Sequence, residues 1–239
     1  MSDIIITICG RAGSKGIPGK NIKLLNGLPL ITYSIKTAKK FSAVSPSDIV
    51  LSTDDPLIKD TAKNYGLYDD YVRPGELATD KAGKIDVIKD VLFYYEAKLN
   101  KRYDFIIDLD ITSPLRTIED ISEALFYLKK VDSAVNIFSV SPAKRNPYFN
   151  MVEEKKDGFF RLVLESKIIK SRQEAPKIYD MNASFGIFRR IFFDKAYETC
   201  TTDKSLAYVI PHVCFDLDEP EDFSIMEILL RENILGIEI

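Results

Sequence analysis

The stretch Ile4-Ile5-Ile6-Thr7-Ile8-Cys9-Gly10-Arg11-Ala12-Gly13-Ser14-Lys15-Gly16-Ile17-Pro18-Gly19-Lys20-Asn21 decides how the rest of the chain reads. Its first six residues are an apolar run suited to a buried strand. Behind them a glycine recurs at every third position from Gly10 to Gly19, with three cations (Arg11, Lys15 and Lys20) and no acid. Such a loop makes a poor core element and a good anion cradle. Glycines let backbone N–H groups approach a phosphate closely, and the cations offset its charge. The other reading is a solvated basic loop. The segment 29–41 that follows spaces Ile31, Ile35, Ala38 and Phe41 as a helix does. Strand, loop and helix in that order put the loop at a strand's carboxyl end, where open α/β sheets bind ligands.

Two common phosphate loops are excluded by spacing. A Walker A loop needs Gly, four residues, then Gly-Lys-Ser/Thr; here Ser14 stands five positions before Gly19 and Asn21 follows Lys20. The dinucleotide fingerprint needs Gly-x-Gly-x-x-Gly, which Gly10-x-x-Gly13-x-x-Gly16 is not. The length and charge of the loop suit a triphosphate better than a pyrophosphate diester.

A chain of 239 residues suits one α/β domain with a small excursion. Lys and Arg total 33 against 36 Asp and Glu, a net charge of −3, which argues against a general nucleic-acid binder. Cations gathered in one loop of a mildly acidic chain suit a small anionic ligand. Cys9, Cys200 and Cys214 have no metal-ligand spacing, and Cys9 and Cys214 read as core thiols. No signal peptide or membrane-length apolar run is visible, so the expected setting is soluble, reducing and cytoplasmic.

Further along, 48–55 reads as a short strand ending in polar residues. Asp55-Pro56 starts a helix that stops at Gly66, and Asp54 reads either as a cap or turn residue or as a site residue. An amphipathic helix follows over 85–99, and 105–110 is the central-strand candidate. Thr117 caps a helix over 118–130, with Asp120 in its first turn. Residues 133–140 read as a strand. The segment 141–182 then breaks the βα rhythm and contains a hairpin turn at Asp157-Gly158. Strands over 184–189 and 206–210 flank a short helix over 191–197. In Asp216-Leu217-Asp218, strand alternation points both carboxylates to one face while Leu217 packs inward. Such a pair suits Mg²⁺, a hard ion that takes oxygen ligands and substrate phosphates; the other reading is a solvated strand end capping a helix over 220–231. His212 is the only histidine and reads as structural.

Four segments carry a resemblance: Arg11-x-Gly13-Ser14-Lys15-Gly16-Ile17-Pro18-x-Lys20-Asn21, Arg73-Pro74-x-x-Leu77-Ala78-x-Asp80, Thr112-Ser113-Pro114-Leu115-Arg116 and the run 215–222. Together they resemble the cytidylyltransferases that activate sialic acids and related nine-carbon keto-sugar acids. The resemblance implies a Rossmann-like three-layer α/β nucleotidyltransferase fold with a mostly parallel central sheet. Residues 1–140 and 183–239 would form the catalytic domain, and 141–182 an arm that builds a homodimer. It further implies a Mg²⁺-dependent attack of a sugar-acid hydroxyl on the α-phosphorus of CTP, with no nucleic-acid or membrane partner. Arg11, Lys15, Asp216 and Asp218 would be catalytic, the two aspartates as metal ligands. Gly10, Gly13, Ser14, Lys20, Asn21, Arg73 and Lys84 would join Arg11 and Lys15 around the nucleotide. Asp110, Thr112, Ser113, Arg172, Gln173, Asp180 and Asn182 would meet the sugar.

The chain also departs from the family pattern. Lys81-Ala82-Gly83-Lys84 stands where relatives have small hydroxyl residues, and Asp110, Asp180 and Phe149 replace Gln, Arg and Lys. If those three line the pocket, its charge falls by about three units. Either the substrate carries a compensating cation, or the aspartates turn away to bond backbone groups or Arg116. Arg116 itself reads as bonding carbonyls across the sheet or as reaching a ligand. The competing functional readings are a sugar-1-phosphate nucleotidylyltransferase and a non-catalytic nucleotide-binding subunit.

Overall fold

The apolar run forms β1 (Ile4–Cys9), and its alternation sets up two core layers. Ile4, Ile6 and Ile8 enter one apolar cluster while Ile5 enters another on the opposite face. The computed structural model describes residues 2–13, 16–164, 169, 171–237 and 239. After the loop, a tight hairpin of β2 (Leu24–Leu25) and β3 (Leu28–Pro29) turns the chain into α1 (Leu30–Val44). Then come β4 (Asp48–Ser52) and α2 (Pro56–Asn64), with Asp55 accepting a cap bond from the Leu57 N–H and Gly66 in the left-handed conformation beyond the end.

The chain crosses back through α3 (Lys84–Leu99) to β5 (Phe105–Asp110). α4 (Ile118–Lys130) opens on a capping box between Thr117 and Asp120. β6 (Asn136–Pro142) follows, and a hairpin of β7 (Val152–Glu154) and β8 (Phe160–Leu162) leads to β9 (Tyr179–Arg189). The chain closes with α5 (Arg190–Asp194), β10 (Ser205–Val209) and α6 (Pro220–Arg231).

The six-stranded sheet runs β10-β6-β9-β5-β1-β4, and β9 alone is antiparallel to its neighbours. Residues of α1, α2, α4 and α6 share the larger apolar cluster; those of α3 and α5 share the smaller one across the sheet. This is the expected three-layer, mostly parallel architecture. From β1 the chain first builds outward to β4 and then reverses to β5. That reversal opens a crevice at the carboxyl ends of β1 and β5.

Some expected boundaries move. β6 starts at Asn136 because Asp132 and Ser133 lie in a turn. β9 starts at Tyr179 instead of 184, because its ladder continues onto β6 through Val140, Ser141 and Pro142 beyond a bulge. Residues 213–218 lie outside any strand, although Leu217 is fully buried, as the alternation requires. Cys214 packs in the larger core, whereas Cys9 is only half-buried and reaches the crevice.

Candidate functional site

The crevice encloses about 410 Å³. The glycine loop forms one wall through Gly10, Arg11, Gly16, Lys20 and Asn21, and the segment from Arg73 to Lys84 forms another. Asp110, Thr112 and Asp218 contribute at the sheet's carboxyl edge.

The loop is tied down by its own chemistry. The Gly10 N–H donates to Ser52 O, the Ala12 N–H to Asp54 Oδ1, and Asn21 Nδ2 to Arg11 O, each at 3.0 Å. Asp54 is therefore an anchor of the loop. Gly16 runs against the backbone of Asp218 so closely that a Cβ there would sit 2.5 Å from the Asp218 carbonyl oxygen. Gly19 has φ +64° and starts the short turn that carries Lys20 and Asn21. Arg11 pairs with Asp80, a crevice residue that the sequence reading quoted without giving it a role. Gly13 lies on an adjoining crevice with Arg11 and Asn21. Ser14 and Lys15, expected at the nucleotide, lie outside the described residues.

Lys20 crosses from the loop to the opposite segment. Its Nζ donates to Leu217 O at 2.6 Å and meets Asp218 Oδ1 at 3.2 Å. Its side chain is 11% exposed, whereas that of Asp218 is 66% exposed. Beside them, burial and the neighbouring Asp218 carboxylate push the Asp216 carboxyl upward. Two carboxylates held this close are an incomplete set of hard oxygen ligands. No group of three or more His, Cys, Asp or Glu suited to a metal occurs among the described residues, so further ligands would come from elsewhere.

The floor has a different arrangement. Thr7, Cys9, Asp108 and Asp110 fall on the β1 and β5 face that α3 covers, opposite Ile8 and Leu109. Lys84, the first residue of α3, reaches Asp108 Oδ2 at 2.9 Å and also bonds Asp110 Oδ2. Thr7 Oγ1 donates to Asp108 Oδ1 at 2.8 Å. Asp110 Oδ1 accepts from the Thr112 N–H at 2.8 Å and from Thr112 Oγ1 at 2.9 Å. Burial alone would raise the Asp110 carboxyl; Lys84 and the Thr112 donors outweigh it and hold the pKa at about 2. Burial likewise opposes the Lys84 charge, yet Asp108 and Asp110 push its pKa up. The Cys9 thiol is pushed up by burial and by Asp108, which makes it a poor nucleophile.

These contacts revise several expectations. Lys84 lines the crevice, but Asp108 and Asp110 already engage it. The Asp110 carboxylate has a counter-ion within the chain and bonds Lys84 and Thr112; Arg116 reaches only the Asp110 backbone carbonyl. Arg73 is buried on the crevice wall, donating through Nε and Nη2 to Ser52 Oγ and O. Ser113 is fully buried and donates to Phe215 O at 3.3 Å. Asn182 accepts from Ser139 Oγ and donates to Ser141 Oγ, pinning β9 to β6. Neither Ser113 nor Asn182 lines the crevice. Gln173 and Asp180 are exposed and away from it, and the side chain of Arg172 lies outside the described residues.

Arg116 is wholly buried and bonds Ser113 O, Ser184 O, Asp110 O and Ser34 Oγ; of the two readings, the carbonyl-bonding one holds. His212 lies apart from the crevice, its Nε2 bonded to Asp120 Oδ2 at 2.9 Å. Asp108 was missed by sequence reasoning, although its alternation with Asp110 was a visible signal.

Comparison with known proteins gives these parts a context. A family model described as cytidylyltransferase matches residues 5–234. The chain is 38% identical over 244 residues to a post-translational flagellin modification protein B of Campylobacter coli, covering 98% of both chains. It is 36% identical over 237 residues to a CMP-N,N'-diacetyllegionaminic acid synthase of Campylobacter jejuni, covering 96% of both. Among solved structures, a CMP:2-keto-3-deoxy-manno-octonic acid synthetase complexed with CTP superposes with TM-score 0.68 at 15% identity, covering 97% of this chain and all of the other, which speaks to the fold. No helix among the described residues is long and apolar enough to cross a membrane.

Proposed function

The chain belongs to the cytidylyltransferase family, and we propose that it couples CTP to a sialic-acid-like nonulosonic acid, giving the CMP-sugar and pyrophosphate. One observation carries this reading: Arg11 and Lys20 of the glycine loop line one crevice with Asp218 at the carboxyl ends of β1 and β5, Lys20 meets Asp218 there, and Asp216 stands beside that carboxylate. An oxygen of the sugar acid's hydroxyl forms the new bond to the α-phosphorus. The bond to the bridging oxygen breaks, pyrophosphate leaves with the electron pair, and the hydroxyl proton passes to solvent. In such transfers the protein mainly positions groups and neutralises charge.

Arg11 and Lys20 hold phosphate oxygens, together with Lys15 of the same loop. Asn21 fixes the loop's shape through Arg11 O, and Arg73 stiffens the facing wall. Asp216 and Asp218 would hold Mg²⁺, which supplies Lewis-acid polarisation of the α-phosphate and acidifies the attacking hydroxyl. The two carboxylates fit that ion because they are adjacent, oxygen-only and short of ligands that phosphates can complete. Lys84 and Thr112 keep Asp110 ionised and fixed at the crevice floor. Asp110 thus has a counter-ion without any amine from the substrate.

The reaction draws on a nucleoside triphosphate, so a cytoplasmic setting is part of the proposal. A homodimer is also proposed. The β7–β8 hairpin exposes Phe159 at 68% and Phe160 at 64%, together with Met151 and Val152, an apolar surface that a second copy would cover. Light scattering at micromolar concentration should give twice the chain mass, and a fully active monomer would refute the dimer.

Pyrophosphate release, assayed with the four nucleoside triphosphates and a panel of keto-sugar acids, tests the activity. CTP with an N-acylated nonulosonic acid should be the productive pair. Turnover with a sugar-1-phosphate instead, or none with any acid, would overturn the reading.

A further inference from the structure

Lys20 sits in the glycine loop, yet its ammonium contacts the opposite segment. It is nearly buried, and Leu217 O at 2.6 Å fixes it in place. Asp218, by contrast, offers it one carboxylate oxygen at 3.2 Å and keeps 66% of its side chain in solvent. Gly16 packs against Asp218 O, and the Leu217 N–H donates to Thr112 O at 2.9 Å, so the 216–218 segment is placed without this ion pair. The pair is therefore poorly explained as a structural staple, since an exposed, long contact adds little to stability. It does occupy the carboxylate that the proposed function assigns to a divalent cation.

We propose that Lys20 is an exchangeable counter-ion: it neutralises Asp218 in the metal-free protein, a divalent cation displaces it, and the released ammonium turns to the nucleotide's phosphates. This inference rests on the metal reading of Asp216 and Asp218. One positive charge is replaced by a doubly charged ion in the same place, so the two compete for Asp218. The displaced lysine remains on the loop that faces the phosphates. Metal therefore improves the site for nucleotide, and by linkage nucleotide improves it for metal. Lys20 acts here as a positioning residue for the metal and as a ligand for the phosphates.

The test is Mn²⁺ binding without nucleotide, read by electron paramagnetic resonance, so turnover plays no part in it. Lys20→Met should bind Mn²⁺ roughly fivefold more tightly than the wild type, because a competing cation has gone. Lys20→Arg keeps the charge and should stay near the wild type. With CTP added, Lys20→Met should lose most of the mutual enhancement between Mn²⁺ and CTP. Unchanged or weaker Mn²⁺ binding by Lys20→Met overturns the exchange. Binding that Asp218→Asn does not diminish overturns the metal reading itself, and the exchange with it.

The wild type provides a second measurement should Lys20→Met fail to fold. Amine acylation at Lys20, followed by mass spectrometry, should rise when Mn²⁺ alone is added and fall again when CTP joins it. Labelling of Lys20 that ignores Mn²⁺ also refutes the proposal.

Discussion

The chain contains the tripeptide Asp-Leu-Asp twice, at 108–110 and at 216–218, and the two copies have opposite fates. Both leucines are fully buried, so each copy presents its aspartates away from the larger core. The first copy lies in β5, beneath α3. Lys84 bridges its two carboxylates, and Thr7 and Thr112 bond the remaining oxygens. The second lies outside any strand. Among the described residues Lys20 is the one cation that meets its carboxylates, and burial together with the neighbouring Asp218 pushes the Asp216 carboxyl upward. Identical sequence thus yields a finished polar cluster in one place and a ligand set awaiting completion in the other. The difference comes from the covering layer: the start of α3 delivers a lysine between the two carboxylates of the first copy, while Lys20 meets one carboxylate of the second and leaves it 66% exposed.

The comparison can be broken most forcefully at Asp218. Asp218→Asn should lower turnover by about a hundredfold or more, since an electrostatic contact to the reacting phosphate is lost. Its urea midpoint should stay at the wild-type value, because the side chain is largely exposed. A matching loss of stability would mean that the second copy is architecture after all.

Lys84→Met should behave in the reverse sense. It leaves Asp108, only 6% exposed, without its cation; Lys84 itself is 42% exposed, which lets solvent screen part of the loss. A drop of about 2 kcal/mol in unfolding free energy is expected by chemical denaturation. Mn²⁺ affinity should not change. A stability equal to the wild type would show that the first copy is as loosely held as the second.

The smallest effect concerns a third carboxylate, away from the crevice, and sharpens the rule that burial decides such pairs. The hydrogen bond to Asp120 raises the His212 pKa above 6.5. Burial opposes ionisation of Asp120, but His212 and the Thr117 donors bring its pKa below 3.8. The histidine's contribution is full below 6.5 and fades as pH rises through its raised folded value; the aspartate's fades as pH falls below 3.8. His212→Gln should therefore cost about 1 kcal/mol near pH 5 and progressively less towards pH 9. A cost that is flat with pH would remove the ion pair from the account.

Much of this was legible in the chain. Ile4–Cys9, Phe105–Asp110, Ile118–Lys130 and Pro220–Arg231 appear at their expected bounds, because apolar periodicity, caps and prolines act locally. The loop's place at the strand end was legible for the same reason. The partners were not. That Lys84 reaches Asp108 and Asp110 depends on which face α3 covers, a fact of topology. The burial of Asn182 follows from β9 crossing onto β6 past a bulge, which no local signal announces. Alternation was applied to 216–218 and would have flagged 108–110 equally well.

Arg116 extends these observations to the order in which the fold is assembled. Its acceptors lie at residues 34, 110, 113 and 184, so α1, β5 and β9 must all be in place before the two terminal nitrogens of the guanidinium are bonded. Until then a buried cation is premature. If bonds that need three elements at once form after the folding barrier, they act on the unfolding rate. Arg116→Met should then speed unfolding in stopped-flow experiments far more than it slows refolding, so that this side chain would lend the molecule persistence through kinetics.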